Sequence, residues 1–177
     1  MASRIFTSDK ELASIIRSVA RHGQTKRYHH VRLGVNSRLD TLQAAILLAK
    51  LESLDSEIME KQELASDYNN IFSGFEDIQT PYINSFNKCA WAQYTIQTTN
   101  RDKIAQSLAE LNIPTAIHYP LPLHQQPAVC DDQINAPIAE ELSKTVLSLP
   151  MNAYIKKSEK KRYLKILGET VQKAIAP

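Results

Sequence analysis

Apolar positions recur at helical spacing in several stretches of the chain and gather as β-branched or aromatic clusters in others. Leu12, Ile15, Ile16 and Val19 share one helical face. Ser8 and Glu11 form a Ser-x-x-Glu capping box ahead of them, and Gly23 is a natural stop behind them. Leu39, Leu42, Ile46, Ala49, Leu54, Ile58 and Leu64 then make a broad stripe. That stripe predicts one long helix from about 39 to about 72, on the order of 50 Å in length. Asn36 or Ser37 can cap it, and Asp40 suits the positive end of its dipole.

Shorter elements follow. Residues 91–99, Trp-Ala-Gln-Tyr-Thr-Ile-Gln-Thr-Thr, read as a strand, and residues 114–118 as a second one. Between them Asn100 caps a short helix over 101–111 with Ile104, Leu108 and Leu111 inward. Residues 119–129 carry Pro120, Pro122 and Pro127 and must be extended loop. Pro137 opens a helix to 147, and Ser148-Leu149-Pro150-Met151 ends it as an extended segment. Ser158 caps a final helix whose Tyr163, Ile166, Leu167, Thr170, Val171 and Ala174 form one face. The order is a helix and loop over 1–38, a long connecting helix over 39–72, and a small unit of strands and helices over 73–177. The fold class is α+β, with a small antiparallel sheet flanked by helices.

Composition narrows the function classes. The chain has 177 residues, 43% hydrophobic and 23% charged, as in an ordinary soluble protein. A net charge of +2 is too small for general attraction to nucleic acid or membrane. No run reaches the apolar length of a bilayer span, and the N-terminus has no apolar signal core. Cys89 and Cys130 lie in no ligand-like spacing and read as reduced thiols in a cytoplasm. Four glycines, none in a cluster, exclude a glycine-rich phosphate loop.

Two constellations can carry chemistry. Residues 21–38 form a polar loop without a sustained period, in which Arg21, Lys26, Arg27, Arg32 and Arg38 surround Tyr28, His29 and His30. Guanidinium groups bind phosphate and carboxylate bidentately, and a helix N-terminus beside Asn36 and Arg38 offers further N–H groups to an anion. A solvated basic loop is the plain alternative. The second constellation is His118-Tyr119, followed by a proline-stiffened loop to His124. His124 reads as a structural histidine, and no metal-ligand set or nucleophile triad stands out by spacing.

These residues carry a family resemblance. Arg21-His22-Gly23-Gln24 with Arg27-Tyr28-His29-His30, then Gly34-Val35-Asn36-Ser37-Arg38-Leu39-Asp40, resembles the DegT/DnrJ/EryC1/StrS aminotransferases. Residues 114–123 and Ser148-Leu149-Pro150-Met151 are similar to that family's later motifs, in the expected order. The likeness is to members that aminate the 3-oxo group of a UDP-linked N-acetylated uronic acid for O-antigen or other surface sugars.

The resemblance implies the C-terminal part of a fold-type I pyridoxal-phosphate (PLP) transferase, with active sites between the subunits of a homodimer. Residues 1–38 then belong to the large domain and its active-site loop. Asn36 is expected at the cofactor phosphate of the partner subunit, and Arg38, His118, Tyr119, Arg27, Tyr28, His29 and His30 at the nucleotide sugar. The sequence departs from the family at one place. The family's Schiff-base lysine precedes a Gly-Gly-Ala-Ile-x-Thr stretch, of which Ile5-Phe6-Thr7 matches the end, and Met1-Ala2-Ser3-Arg4 stands where the rest should be. Lys10 lies on the wrong side of that motif. The chain alone is therefore expected to hold no PLP covalently, to have no catalytic lysine and to be inactive. Expected partners are a second copy, an N-terminal half or an intact homologue, and a UDP-sugar in a completed site. The rival expectation is a degenerate relic that acts only as a self-associating interaction protein.

Overall fold

The structure is a computed structural model, and it describes residues 5–131 and 133–175. The chain forms two compact units, Met1–Leu54 and Asp55–Pro177.

In the first unit, α1 spans Lys10–Val19. Its cap is Asp9, not Ser8: Asp9 Oδ1 accepts from the backbone N–H groups of Glu11 at 2.9 Å and Leu12 at 3.0 Å. A carboxylate is the stronger acceptor at the positive end of a helix, and one residue's shift moves the start with it. The segment read as a loop contains a hairpin, β1 (Gln24–Lys26) paired antiparallel with β2 (His29–His30) across Arg27 and Tyr28. Gly23 (φ +75°) and Gly34 let the backbone cross itself there. A Cβ on Gly34 would lie 2.2 Å from Gly23 N, and one on Gly23 would lie 1.7 Å from Arg32 O. Only glycine permits this approach.

The single long helix expected over 39–72 is two helices, α2 (Thr41–Leu51) and α3 (Leu54–Phe72). Ser53 makes the break. Its N–H and its Oγ both bond to Lys50 O, at 3.3 and 3.1 Å, which turns the chain where the i to i−4 ladder would continue. Helix α2 begins after Asp40, so neither Asn36 nor Ser37 caps it, and it has no buried residue.

The second unit is built around β3 (Tyr94–Gln97) and β4 (Val146–Leu149), antiparallel, with Tyr94 opposite Leu149 and Thr95 opposite Ser148. Single bridges extend the pair on both sides: Gln79 to Gln97 and Ala116 to Ser148. The strand expected over 114–118 is reduced to that last bridge, because Pro114 has no N–H to donate. Three helices complete the unit: α4 (Arg101–Glu110), α5 (Pro137–Thr145) and α6 (Lys157–Ile175). Helix α5 runs into β4 without a loop. Ser158 lies inside α6 and does not cap it. Asn100 heads α4 but gives its side chain to Asp77 rather than to the helix.

The core of this unit joins Leu64, Tyr68 and Phe72 of α3 to Tyr94 and Ile96, to Ile104 and Leu108, to Leu147 and Leu149, and to Leu167 and Val171. Tyr68 is fully buried, and its hydroxyl donates to Pro150 O at 2.7 Å and lies 2.6 Å from the hydroxyl of Tyr163. A buried phenol needs such partners, and burial raises the pKa of Tyr68, Tyr94 and Tyr163 alike. Among the described residues no helix is long and apolar enough to cross a membrane.

Candidate functional site

The expected site residues divide between the two units. Arg27, Tyr28, His29, His30, Asn36 and Arg38 lie in the first, and His118 and Tyr119 in the second. All eight are exposed.

In the first unit the hairpin turn lifts Tyr28 at φ +64°. The Arg27 guanidinium lies 5.0 Å from the Tyr28 ring centroid, and its Nη2 donates to the phenol oxygen at 3.2 Å. The stem is held by Thr25 and Gln24, which the sequence left without a role, and by His29 and His30, which it placed at the nucleotide sugar. Thr25 Oγ1 meets His29 Nδ1 at 3.3 Å. His30 Nδ1 lies 2.8 Å from the carbonyl of His22, and its Nε2 lies 3.4 Å from Gln24 Nε2. A carbonyl only accepts, so His30 carries its proton on Nδ1 and leaves Nε2 to accept from the Gln24 amide. Both ring nitrogens of His30 are thus engaged within the hairpin, which braces the turn carrying Arg27 and Tyr28.

Asn36 pairs with Arg21 in a short bridge, and the backbone of Ser37 donates to Ala20 O at 3.0 Å. This ties the segment before α2 to the end of α1. Arg38 Nε donates to Asn36 Oδ1 at 3.0 Å. The amide is turned so that its nitrogen is left over as a donor, beside the two remaining guanidinium nitrogens. Asp40 makes no side-chain cap bond, so the first turn of α2 keeps its N–H groups uncovered by a cap. The arrangement can grip a phosphate or carboxylate.

In the second unit His118 and Tyr119 follow the Ala116 bridge. Their rings meet edge to face at 5.6 Å, and the peptide between them is cis. They line a groove of about 290 Å³ together with Leu121, Leu123, Leu142 and Val146. His118 Nδ1 lies 3.1 Å from Ser148 Oγ, a residue carried by the Ser-Leu-Pro-Met motif but given no role by the sequence. His124, expected to be structural, lies 3.0 Å from Glu140 and joins the proline-rich loop to α5. Among the described residues no group of three or more His, Cys, Asp or Glu could hold a metal ion.

Comparison with known proteins bears on these arrangements. The UDP-2-acetamido-2-deoxy-3-oxo-D-glucuronate aminotransferase of Pseudomonas aeruginosa is 50% identical over 151 residues, covering 85% of this chain and 42% of that protein. A crystal structure of a DegT DnrJ EryC1 StrS aminotransferase from Brucella abortus superposes with a TM-score of 0.81 at 37% identity, over 92% of this chain and 44% of that one. That of DesV from S. venezuelae superposes with a TM-score of 0.85 at 32% identity, over 97% of this chain and 46% of that one. The chain spans less than half the length of the curated relatives it matches. The sequence profile of the DegT/DnrJ/EryC1/StrS aminotransferase family matches residues 4–167. The chain belongs to that family.

Proposed function

We propose that the chain supplies the C-terminal share of a PLP-dependent aminotransferase that acts on a UDP-linked 3-oxo sugar for surface polysaccharide such as O-antigen. One observation carries the reading: Asn36 Nδ2 and the terminal nitrogens of Arg38 stand together as donors in the segment that leads into α2. Aminotransferases of this family use PLP, which supplies, when bound, an electron-withdrawing ring that takes up and releases an amino group. An amide N–H and a guanidinium beside an open helix start are a donor set that fits its phosphate.

Asn36 would hold the cofactor phosphate in a site shared with a partner subunit. Arg38, Arg27, Tyr28, His29, His30, His118 and Tyr119 would face the nucleotide sugar, with His30 also bracing the turn that carries Arg27 and Tyr28. The family's anchoring lysine has no counterpart among the lysines of this chain, so the chain alone is proposed to be inactive and to bind no PLP covalently. A cytoplasmic setting, in which the half-buried Cys89 would stay a reduced thiol, fits this reading.

The test is to mix the chain with a separately expressed N-terminal half of a homologous aminotransferase, a UDP-linked 3-oxo sugar and glutamate. Amino transfer in the mixture, and with neither half alone, is expected. No transfer in the mixture overturns the reading. With PLP and the chain alone, a visible absorbance band that bleaches on adding glutamate would overturn the claim of inactivity.

A second reading, a self-associating interaction protein, is favoured by α2. It has no buried residue, and Leu42, Ile46, Leu48 and Leu51 are each more than half exposed. A helix that is apolar all round seeks a cover, and contiguous apolar surface drives association. A homodimer or larger species is expected under both readings.

A further inference from the structure

We propose that Ser148, backed by Thr95, is the positioning residue of His118, fixing it as the neutral tautomer that offers Nε2–H to an oxygen of the bound ligand. That ligand oxygen, on a phosphate or sugar of a nucleotide sugar, rests on the function proposed above; the positioning itself does not.

Three observations meet at Ser148. Its backbone is tied to Ala116 in both directions: Ala116 N donates to Ser148 O at 3.1 Å, and Ser148 N donates to Ala116 O at 2.7 Å. Ser148 Oγ lies 3.1 Å from His118 Nδ1, two residues beyond the bridge and so on the same face as Ala116. Thr95, directly across the strand pair, brings its Oγ1 to 2.8 Å from Ser148 Oγ. Ser148 is only 5% exposed, so its hydroxyl needs partners inside the protein.

One direction along the row keeps every proton on a partner within it. If His118 donated to Ser148 and Ser148 to Thr95, the hydroxyl proton of the half-buried Thr95 would have to turn out of the row to solvent. In the opposite sense Thr95 donates to Ser148 and Ser148 donates to Nδ1. The imidazole proton then sits on Nε2, at the exposed end of the ring. Hydrogen bonds in such a row polarise one another, so the second hydroxyl strengthens the first. This gives the Ser-Leu-Pro-Met motif a physical link to the His118-Tyr119 pair.

The test uses the 177-residue chain labelled with 15N on histidine. At a pH where His118 is neutral, imidazole nitrogen shifts read the tautomer directly. Wild type is expected to carry its proton on Nε2. Ser148→Ala is expected to shift His118 toward the mixture of free imidazole, and Ser148→Thr, which keeps a hydroxyl, to restore it. Thr95→Val, a near-isosteric change, is expected to give a smaller shift of the same sign, and it carries the test if Ser148→Ala does not fold. His118 nitrogen shifts that stay put in a folded Ser148→Ala, or in Thr95→Val where Ser148→Ala does not fold, overturn the proposal. So does a proton found on Nδ1 in wild type. Titration with UDP separates the two readings. Binding that weakens about 2- to 12-fold in Ser148→Ala, the range for losing one net hydrogen bond, supports the ligand role. Absence of UDP binding by wild type removes that role and leaves the tautomer result to stand or fall alone.

Discussion

Arg38 Nε donates to Asn36 Oδ1 at 3.0 Å, and this bond decides which end of the Asn36 amide is offered to a ligand. Lysine keeps the charge of Arg38 but has no Nε–H set back along a planar fork. Arg38→Lys is therefore expected to weaken phosphate binding several-fold, about as much as Asn36→Ala. Amide shift changes at residues 36–42 during titration with inorganic phosphate measure this. Equal affinity in Arg38→Lys and wild type would remove the orienting role of the bond.

Gly34→Ala is expected to disrupt the first unit. The added carbon would lie 2.2 Å from Gly23 N and 2.6 Å from both His22 C and Val19 O, all backbone atoms that cannot swing aside. The cost is about 3 kcal/mol or more, the upper end of overpacking. Amide exchange should quicken across α1 and the β1–β2 hairpin.

Asp77 accepts from Thr98 Oγ1 at 2.6 Å, Thr99 Oγ1 at 2.7 Å and Asn100 Nδ2 at 3.0 Å, and the threonine hydroxyls lead in lowering its pKa to about 2. A lowered carboxylate stabilises the fold above its unfolded pKa of about 3.9, and that contribution is lost as pH falls toward about 2. Asp77→Asn is expected to cost about 1 kcal/mol near neutrality, after allowance for solvent screening, and to flatten the acid limb. Urea unfolding between pH 7 and pH 2 reads both effects.

The buried phenols act at the other end of the scale. Tyr68, Tyr94 and Tyr163 have raised pKa values, chiefly through burial. Unfolded phenols ionise near pH 10, so stability is expected to fall as pH rises past about 10, with these three tyrosinates appearing only on unfolding. Tyr68→Phe removes the donor to Pro150 O and the partner of Tyr163, at about 1–3 kcal/mol. Ultraviolet titration paired with circular dichroism checks both outcomes.

Self-association through α2 is expected at micromolar concentration, and Ile46→Lys combined with Leu48→Lys should shift the chain toward monomer. Both side chains are exposed on a helix with no buried residue. Sedimentation velocity measures it, and a wild-type monomer would sink the expectation.

Helices α1, α4 and α6 were legible because their apolar positions keep a clear period, α5 because Pro137 marks its first turn, and β3, shorter than the 91–99 expected, because its residues are β-branched and aromatic. Residue type and spacing raised Asn36 and Arg38 as a candidate anion site, and the structure adds the hydrogen bond between their side chains. The break after Leu51 was not, because the apolar stripe continues straight through it and only the local bonds of Ser53 to Lys50 O interrupt the ladder. The hairpin at Gln24–His30 escaped notice because strands of three and two polar residues have no period to detect. The contact of His118 with Ser148 joins residues 30 positions apart and needs the sheet register to be seen.

The direct passage from Thr145 in α5 to Val146 in β4 leaves no slack between two elements of different pitch. A single codon gained or lost near that junction would turn every following strand residue over, moving Leu147 and Leu149 to the face now held by Ser148 and taking Ser148 away from His118. Length variation among homologues should therefore collect in the stretch before Pro137 and avoid the junction itself, a constraint on evolution set by where a helix stops.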